Sequence, residues 1–500
     1  MPKFKTIIPL IYLIFVTLWL RLSNLGYSNY QGDEIKALYL PQLGENLLDF
    51  LLRQRKGPIQ FLVTYGMRIF NPSYDNELLM RLPFALAGIL AIYFFYKFVR
   101  LEFGERIALF SSLFFSLNGL FVAFARIVQY QSFVLLFALL TLYFFALAIK
   151  FNKWKIKGIY CGAFFWSLSI LSHYNGIAIA PFACYLIYRW YVNNDEKLNQ
   201  KSKLKHICFS TGIIFVGLGI FYLPFYFSLS AATKAYWVER ISSKNISSIA
   251  TFSTYNPGFI IYIYIILTLV SLIKLKAVRG KIYLWLWLLF PLLPLEILVK
   301  NKGTHIFSYV LPMCILMGCS LEFFQVYVNT KFAQYGKVIY RLFLSGLYLG
   351  LFAISHVIFV DNFREYPWEE KYFAVWKLKS QNNKSLFGFP YYRHWQEISE
   401  FLKIAGKEGY FVTNEKNSIT RYYIPNGWKN LDLQAYKHQS SGNVFVIFVE
   451  NAQSHNHQIF ERTSSYWQQN FQPVKTFLNQ DRIVVRIYKL QLSDLELTPS

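Results

Sequence analysis

Between Ile107 and Ile149 the sequence reads IALFSSLFFSLNGLFVAFARIVQYQSFVLLFALLTLYFFALAI, and Arg126 is the only charged residue in it. A helix needs about 20 apolar residues to cross a bilayer, so this stretch predicts two consecutive spans. Apolar segments of similar length recur along the chain and predict a mainly α-helical, polytopic transmembrane bundle of about eleven spans. We place these spans at 6–22, 83–99, 107–124, 127–149, 158–172, 174–191, 206–227, 258–274, 282–299, 305–323 and 341–360.

The composition agrees with a membrane protein. Of the 500 residues, 55% are hydrophobic, 20% are aromatic and only 16% are charged, whereas soluble proteins carry about 25% charged residues. The net charge of +24 does not indicate a nucleic-acid partner, because no groove-reading or stacking motif accompanies it. All five cysteines lie in apolar stretches, so no exterior disulfide framework is expected.

The basic residues predict the orientation of the chain. Lysine and arginine crowd alternate short connections, for example 150–157 and 274–281, and such connections belong on the cytoplasmic side. The N-terminus is therefore predicted inside. With an odd number of spans, the C-terminal region lies outside, in a multi-pass protein of the cell (inner) membrane.

The chain is predicted to have two domains. Residues 1–360 form the transmembrane domain, which includes an exterior interfacial loop at 23–82. Residues 361–500 contain no spanning run and alternate helix and strand patterns, which predicts a small exterior α/β domain. Its predicted elements are a helix at Trp395–Ala405, strands at Tyr410–Thr413 and Asn443–Val449, and a hairpin of Val474–Leu478 with Arg482–Leu490.

Two exterior loops carry membrane-interface patterns. In 33–52, apolar side chains alternate with charges, which predicts a helix that lies in the interface. The second loop, 228–257, carries Arg240 and Trp237 among other aromatic and basic residues, and these suit the headgroup level.

The first exterior loop also carries groups suited to a reaction. The acidic pair Asp33-Glu34 follows the first span, and about twenty residues later come the basic cluster Arg53-Gln54-Arg55-Lys56 and the turn Gly57-Pro58. A carboxylate can take a proton from a nucleophile, while cations hold a phosphate leaving group. Such an arrangement at a membrane face favours chemistry on a lipid-borne anion.

These residues belong to a longer ordered series of motifs. The series comprises Asp33-Glu34, Lys56-Gly57-Pro58, Arg81-Leu82-Pro83 with Ala85 and Gly88, Phe103-Gly104-Glu105-Arg106, and Ala125-Arg126 with Tyr130. The pattern resembles the GT-C class of integral membrane glycosyltransferases. It is similar in particular to the branch that contains the protein O-mannosyltransferases and the lipid A aminoarabinose transferases. The resemblance covers residues 5–200 well and 280–320 loosely.

The resemblance implies a hexosyl- or pentosyltransferase that uses a sugar carried on a polyprenyl phosphate. Transfer would occur at the exterior membrane face, to a lipid, glycan or protein acceptor. Asp33 matches the acidic residue that such enzymes place at the acceptor, so we assign it as general base, with Glu34 as the second catalytic candidate. The alternative for Asp33 is an N-cap of a helix that begins at Glu34.

The same resemblance gives the residues expected to bind the donor phosphate. They are Lys56, Arg126 and, in the late segment from Lys300 to Pro312, Lys302, His305 and Tyr309. The alternatives are a headgroup contact for Lys56 and an interfacial anchor for Tyr309.

No cofactor is assigned from the sequence. Arg55 stands where some relatives carry an acidic residue associated with a metal, and no ligand motif supports a metal site here. Metal dependence therefore stays open.

Two rival classes of function are kept. A transporter or flippase of lipid-linked sugars would be expected to show internal repeats or broken helices, with polar residues at mid-span. A non-catalytic subunit of an envelope complex would leave Asp33 replaceable. The sequence identifies neither the sugar, the acceptor, the oligomeric state nor the role of residues 361–500.

Overall fold

The computed structural model describes residues 7–54, 56–193, 198–242, 247–272, 280–332, 334–373, 376–378, 387–431, 443–453 and 468–491. The chain separates into two compact units. The first contains residues 1–25, 40–74 and 79–360, and the second contains 26–39, 75–78 and 361–500.

The chain is mainly helical, as predicted from its apolar segments. Short 3₁₀ helices, at Met67–Ile69, Asn152–Trp154, Tyr174–Ile179 and Gly303–Ile306, interrupt or precede the α-helices. The α-helices are α1 Ile7–Leu22, α2 Gly32–Ala37, α3 Leu47–Leu52, α4 Ile59–Gly66, α5 Glu77–Phe103, α6 Glu105–Leu117, α7 Gly119–Phe124, α8 Gln131–Lys150, α9 Lys157–Ser172, α10 Ala180–Val192, α11 Gln200–Phe227, α12 Ala231–Ser242, α13 Ser248–Tyr255, α14 Gly258–Val270, α15 Lys281–Ile297, α16 Phe307–Lys331, α17 Gly336–Phe359, α18 Trp395–Ala405 and α19 Asn417–Tyr423.

The exact number of membrane spans is not confirmed. A helix covers part of each of the eleven predicted segments. Within the described residues, however, only five helices are long and apolar enough to cross a bilayer: α5, α8, α11, Gly303–Lys331 and α17. The pair α13 and α14, bent by 114°, brings the number to six if it forms one span.

The predicted span at 107–124 is broken, because Asn118 interrupts the helix between α6 and α7. Its side-chain oxygen accepts a hydrogen bond from the backbone N–H of Leu120 at 2.9 Å, as an N-cap does. The break also meets the bend between α13 and α14, where Asn256 Oδ1 accepts from the backbone N–H of Gly119 at 2.9 Å. Asn256 at the bend therefore satisfies the backbone donor of Gly119 at the break.

The single interfacial helix predicted over 33–52 is wrong. The structure has two short helices there, α2 and α3, because Pro41 lacks a backbone N–H and Gly44 takes a left-handed φ of +81° between them. Asn46 starts the second helix by accepting from the N–H of Asp49 at 2.8 Å. Phe50 of α3 then packs with Phe61 of α4 in a buried cluster.

The second unit contains a five-stranded sheet, as expected for a small C-terminal sheet domain. Its strand order is β4-β3-β5-β7-β6, with β4, β3 and β5 parallel and β5, β7 and β6 antiparallel. A separate antiparallel pair is formed by β1 and β2. The strands are β1 Lys371–Phe373, β2 Trp376–Leu378, β3 Gly409–Thr413, β4 Trp428–Asn430, β5 Asn443–Val449, β6 Lys475–Asn479 and β7 Arg482–Gln491.

Residues from two N-terminal segments complete this second unit. Glu77 accepts a hydrogen bond from the Tyr423 hydroxyl at 3.0 Å, and that hydroxyl in turn accepts from the backbone N–H of Tyr30 at 2.8 Å. The side chain of Asn29 accepts from the N–H of Arg393 at 2.7 Å. Arg393 itself forms a fully buried ion pair with Glu365, so the segments 26–39 and 75–78 join a well-bonded polar core.

Gly119 gives a test of the break between α6 and α7. A Cβ at this position would lie 1.8 Å from the carbonyl oxygen of Tyr255, so Gly119→Ala must push the α13–α14 bend away. We expect a loss of about 1–3 kcal/mol, measured as a lower thermal unfolding midpoint in detergent. The control is Gly212→Ala in α11, where nothing lies within 4 Å of the added carbon. Equal midpoints for the two variants would contradict the close packing at Gly119.

Candidate functional site

The turn that carries Lys56 lies directly on the end of α9. A Cβ on Gly57 would stand 1.8 Å from the carbonyl oxygen of Leu171 and 3.0 Å from the carbonyl carbon of Ser172. Only glycine permits this approach, and Pro58 then begins α4 as its N-cap. The turn therefore fixes Lys56 beside the residues that follow α9.

Lys56 contacts neutral groups from the start of α8. Its Nζ donates to Gln129 Oε1 at 2.8 Å and lies 5.0 Å from the ring centroid of Tyr130. The Tyr130 ring also stacks on His173, with 4.1 Å between the ring centroids and an angle of 8° between the rings. Gln129, Tyr130 and His173 are all buried, so the lysine head lies on a rigid support.

The second cation near this support is Arg240, at the end of α12. Its Nη1 lies 2.8 Å from Nε2 of His305, and Nδ1 of the same ring lies 3.1 Å from Oδ1 of Asn175. The rings of His305 and His173 are 5.2 Å apart. Lys56, Arg240 and the two histidines therefore form one cluster within the first unit, which we call the His–cation cluster.

The cluster disfavours a charged His173. Burial lowers the pKa of His173 well below its usual value, and the nearby His305, Lys56 and Arg240 act in the same direction. A hydrogen bond in which His173 Nδ1 accepts from the backbone N–H of Asn175 at 3.2 Å also requires an unprotonated nitrogen there. His173 is thus neutral at physiological pH, and the positive charge of the cluster comes from Lys56 and Arg240.

Lys302 and Tyr309, predicted to bind the donor phosphate, meet at a carboxylate. Nζ of Lys302 lies 3.4 Å from Oε2 of Glu296, and the Tyr309 hydroxyl donates to Oε1 of the same residue at 3.3 Å. The Ser248 hydroxyl also donates to Glu296 Oε1. Lys302 therefore has an anionic partner within the protein, which sets it apart from Arg240.

Arg126 lies at the end of α1. Its guanidinium donates to the carbonyl oxygens of Leu20 and Ser23 at 2.9 Å each and of Asn24 at 3.2 Å. Leu20 lies in the last turn of α1, where carbonyls lack intrahelical partners, and Ser23 and Asn24 follow the helix directly. A cation at this end also interacts favourably with the helix dipole. Arg126 is buried, so its observed contacts give it a structural role whether or not it also reaches a donor.

Asp33 and Glu34 lie in α2, within the second unit. The N-cap of α2 is Gln31 and the helix begins at Gly32, so the alternative in which Asp33 caps the helix is wrong. Asp33 pairs with Lys36 at 3.0 Å, and its side chain is 31% exposed. Glu34 is fully buried and accepts from the backbone N–H of Gln31 at 3.0 Å.

The described residues contain no group of three or more His, Cys, Asp or Glu side chains that could hold a metal ion. Arg55, which stands at the position associated with a metal in some relatives, lies outside the described residues. The metal question is therefore left as the sequence left it.

Sequence reasoning assigned Arg240 to the headgroup level and missed its contact with His305. The two residues are 65 positions apart, and no local pattern links them. The available signal was topological, because both segments were predicted to lie on the exterior side. Asn175 and Gln129 were likewise not identified, since a single neutral amide carries no recognisable motif.

Comparison with known families supports the resemblance found in the sequence. Residues 58–217 match the sequence model of the dolichyl-phosphate-mannose-protein mannosyltransferases. The matched segment begins at Pro58, close to Lys56, and includes His173 of the His–cation cluster as well as Gln129 and Tyr130, which contact Lys56. No curated protein matches the chain by sequence.

Solved structures establish the fold. The chain is similar to apo ArnT from Cupriavidus metallidurans, with a TM-score of 0.52 and 12% identity over 97% of both chains. It is also similar to the apo oligosaccharyltransferase of Archaeoglobus fulgidus, with a TM-score of 0.50 and 11% identity over 85% of this chain and 64% of that one. A structure of the archaeal oligosaccharyltransferase AglB from Archaeoglobus fulgidus, in complex with an inhibitory peptide and a dolichol-phosphate, matches with a TM-score of 0.47 and 12% identity over 71% of this chain.

This chain spans only 55% of that AglB structure's length. The match of residues 58–217 to the mannosyltransferase model, together with the fold shared with apo ArnT and the apo oligosaccharyltransferase, confirms the resemblance to the GT-C class of membrane glycosyltransferases.

The contacts of Arg126 predict a stability defect. Arg126→Met leaves three carbonyl oxygens at the end of α1 without their donor, and each bond to a charged group contributes about 1.5–3 kcal/mol. We expect a clearly lower thermal midpoint in detergent, with Arg126→Lys intermediate because one ammonium cannot reproduce the planar fork. Arg100→Met is the control, since the Arg100 side chain is half exposed. If Arg126→Met unfolds at the same thermal midpoint as the wild type, the carbonyl contacts do not stabilise α1.

Proposed function

We propose that this protein is a membrane glycosyltransferase that moves a sugar from a polyprenyl-phosphate donor to an acceptor at the exterior membrane face. In the reaction, the bond between the anomeric carbon and the phosphate oxygen breaks, and a bond from that carbon to the acceptor oxygen forms. The acceptor proton passes to a general base, and the lipid phosphate leaves with its added negative charge. The residues must therefore supply cations for the phosphate and a base for the acceptor.

The observation that carries the proposal is the His–cation cluster. Among the residues that the structure describes, no carboxylate pairs with Arg240, and its guanidinium contacts the neutral ring of His305 instead. Lys56 adds a second positive charge that acts on the same histidines. A phosphate would complement these charges through charge-assisted hydrogen bonds. The family matched by residues 58–217 is named for a dolichyl-phosphate mannose donor, which supports a lipid phosphate as this anion.

The proposed roles follow from these contacts. Lys56 and Arg240 hold the donor phosphate and stabilise it as charge develops on it. His305 belongs to the cluster through its contact with Arg240. Arg126, Lys302 and Tyr309 stay candidates for the same pocket on the resemblance alone. Asp33 is the proposed general base, on its match to the family motif, and Glu34 is the second candidate.

Donor binding tests the phosphate site. Lys56→Ala and Arg240→Ala should each weaken binding of a polyprenyl-phosphate sugar about ten- to a hundredfold, the scale of a hydrogen bond to a charged group. Lys56→Arg should recover only part of the loss, because a planar fork does not replace a compact ammonium. The measurement is affinity of the purified protein for a panel of undecaprenyl- and dolichyl-phosphate sugars.

The matched control for these variants is Lys153→Ala, on an exposed lysine of a predicted cytoplasmic connection. If both Lys56→Ala and Arg240→Ala bind the donor with wild-type affinity, the His–cation cluster is not the phosphate site.

Asp33→Asn separates chemistry from donor binding. Loss of a general base slows proton transfer by about 10²–10⁴, so sugar transfer in membranes supplied with labelled donor should fall that far while donor affinity stays unchanged. Glu34→Gln should instead lower the thermal midpoint, because Glu34 is buried and binds the N-terminus of α2. Asp481→Asn, in the β6–β7 turn, is the control for a lost carboxylate. Normal transfer by Asp33→Asn would exclude this residue as the base.

The runner-up function is a transporter or flippase of lipid-linked sugars. It is favoured by the 114° bend between α13 and α14, since broken helices are common in transporters. The same labelled donor distinguishes the two in sealed vesicles. A transferase converts the donor into free polyprenyl phosphate and a new glycoconjugate, whereas a flippase moves it between leaflets unchanged.

A further inference from the structure

We infer that His305 is a positioning residue that works as a neutral hydrogen-bond acceptor, and that it aims the Arg240 guanidinium at the anion. The inference rests on the proposed function for the identity of that anion. The geometric part of the inference, which is the fixed position of the proton on His305, does not depend on the proposed function. His305 acts in this arrangement through Arg240 and not as a phosphate-binding cation itself.

The direction of the Arg240–His305 hydrogen bond follows from chemistry. A guanidinium has only donors, so Nε2 of His305, 2.8 Å from Arg240 Nη1, must carry a lone pair. A neutral imidazole then holds its proton on Nδ1, which donates to Asn175 Oδ1 at 3.1 Å. The orientation of Asn175 is the one that gives this N–H an acceptor. Each hydrogen bond in this series therefore fixes the direction of the next one.

The same series of hydrogen bonds continues from Asn175 to His173. The backbone N–H of Asn175 donates to Nδ1 of His173 at 3.2 Å, so one asparagine sets the ring orientation of both imidazoles. His173 is also held between Tyr130, at 4.1 Å, and Tyr174, at 3.8 Å between ring centroids. The rings have little freedom to rotate and present Arg240 with a fixed acceptor.

A protonated His305 would not fit this arrangement. Both of its ring nitrogens would then be donors, and an Nε2–H would face an N–H of Arg240. The charged groups that act on His305 are Arg240 and Lys56, and both oppose a further positive charge. With Nε2 accepting from Arg240 and Nδ1 donating to Asn175, both ring nitrogens are engaged within the protein.

Further contacts fix the backbone and the side chain of Arg240. Its carbonyl oxygen accepts from the backbone N–H of Asn301 at 3.1 Å, and its guanidinium lies 5.7 Å from the ring of Tyr236. Gly303 has a left-handed φ of +51°, and a Cβ there would lie 3.1 Å from Arg240 Nη2. Gly303 and His305 thus flank the guanidinium, and the hydrogen bond to His305 gives it its direction. A cation held in place before the anion arrives loses less conformational entropy on binding.

The test is a double-mutant cycle on binding of undecaprenyl phosphate, with undecaprenol as the uncharged reference lipid. His305→Leu removes the hydrogen-bond acceptor of Arg240. It should weaken the binding of undecaprenyl phosphate about tenfold without changing the binding of undecaprenol. His305→Gln should recover most of the loss, because its terminal amide oxygen reaches the position of Nε2. In the Arg240→Ala background, His305→Leu should cause no further loss.

The control for the cycle is His206→Gln, whose ring contacts Tyr160 instead, and it should bind like the wild type. Additive losses in the cycle, or full affinity in His305→Leu, would overturn the positioning role.

A spectroscopic measurement keeps the inference testable if His305→Leu fails to fold or if the wild type binds no lipid phosphate. In ¹⁵N-histidine NMR spectra, the His305 signals are identified by their loss in His305→Gln. We expect a neutral ring protonated on Nδ1 in the wild type and a shift towards the Nε2–H tautomer in Arg240→Ala. A wild-type ring that is protonated on Nε2, or on both nitrogens, would overturn the inference. An Nδ1–H ring without lipid-phosphate binding would refute the proposed function alone.

Discussion

A cation that is taken out of water must find acceptors, and in the first unit several of these acceptors are neutral. Arg126 donates to three backbone carbonyls, Arg240 to the imidazole of His305, and Lys56 to the amide of Gln129. A buried cation left without any acceptor would be very costly. A neutral acceptor removes that cost in part and fixes the direction of the side chain, yet it leaves the positive charge in place. A carboxylate, as at Lys302 and Glu296, largely cancels the charge.

The His–cation cluster is built almost entirely from connections between helices. Lys56 precedes α4, Gln129 precedes α8, His173 follows α9 and His305 precedes α16, while Arg240 lies in the last turn of α12. Long packed helices hold the ends of these connections in place, and the connections supply the polar groups, a common division between scaffold and site. Gly57 has a decisive part, because its missing side chain lets the Lys56 turn touch the end of α9.

The sequence predicted the local elements best where one short-range pattern decided them. The helix at Trp395–Ala405 and the strand at Asn443–Val449 were predicted with the bounds that the structure has, and the hairpin around Gln480 was found within about a residue. Both turn residues, Gln480 and Asp481, have positive φ, as the favoured two-residue hairpin turns require. The break at Asn118 was missed because the apolar pattern continues through it. Asn118 caps α7 at this break, and the backbone N–H of Gly119 pairs there with Asn256, far along the chain.

The site shows the same division. Lys56 and His305 could be selected from sequence because each stands in a family motif, and the structure brings both into one cluster. Arg240 and Asn175 could not be selected, because their significance depends on contacts with a segment 65 and 130 residues away. Lys302 was selected through the same resemblance, but Glu296 was not identified as its partner. A sequence shows which cations exist, whereas their partners decide which charges are still able to attract an anion.

The choice of histidine beside Arg240 has a physical consequence for the site before any donor binds. A third cation there would increase the repulsion that Lys56 and Arg240 already exert on each other, and the cost would fall on the stability of the empty protein. A carboxylate would relieve the repulsion but compete with the phosphate for the same guanidinium. A neutral imidazole with its proton fixed by Asn175 does neither. It orients the guanidinium, adds no charge, and does not compete with an incoming anion for Arg240.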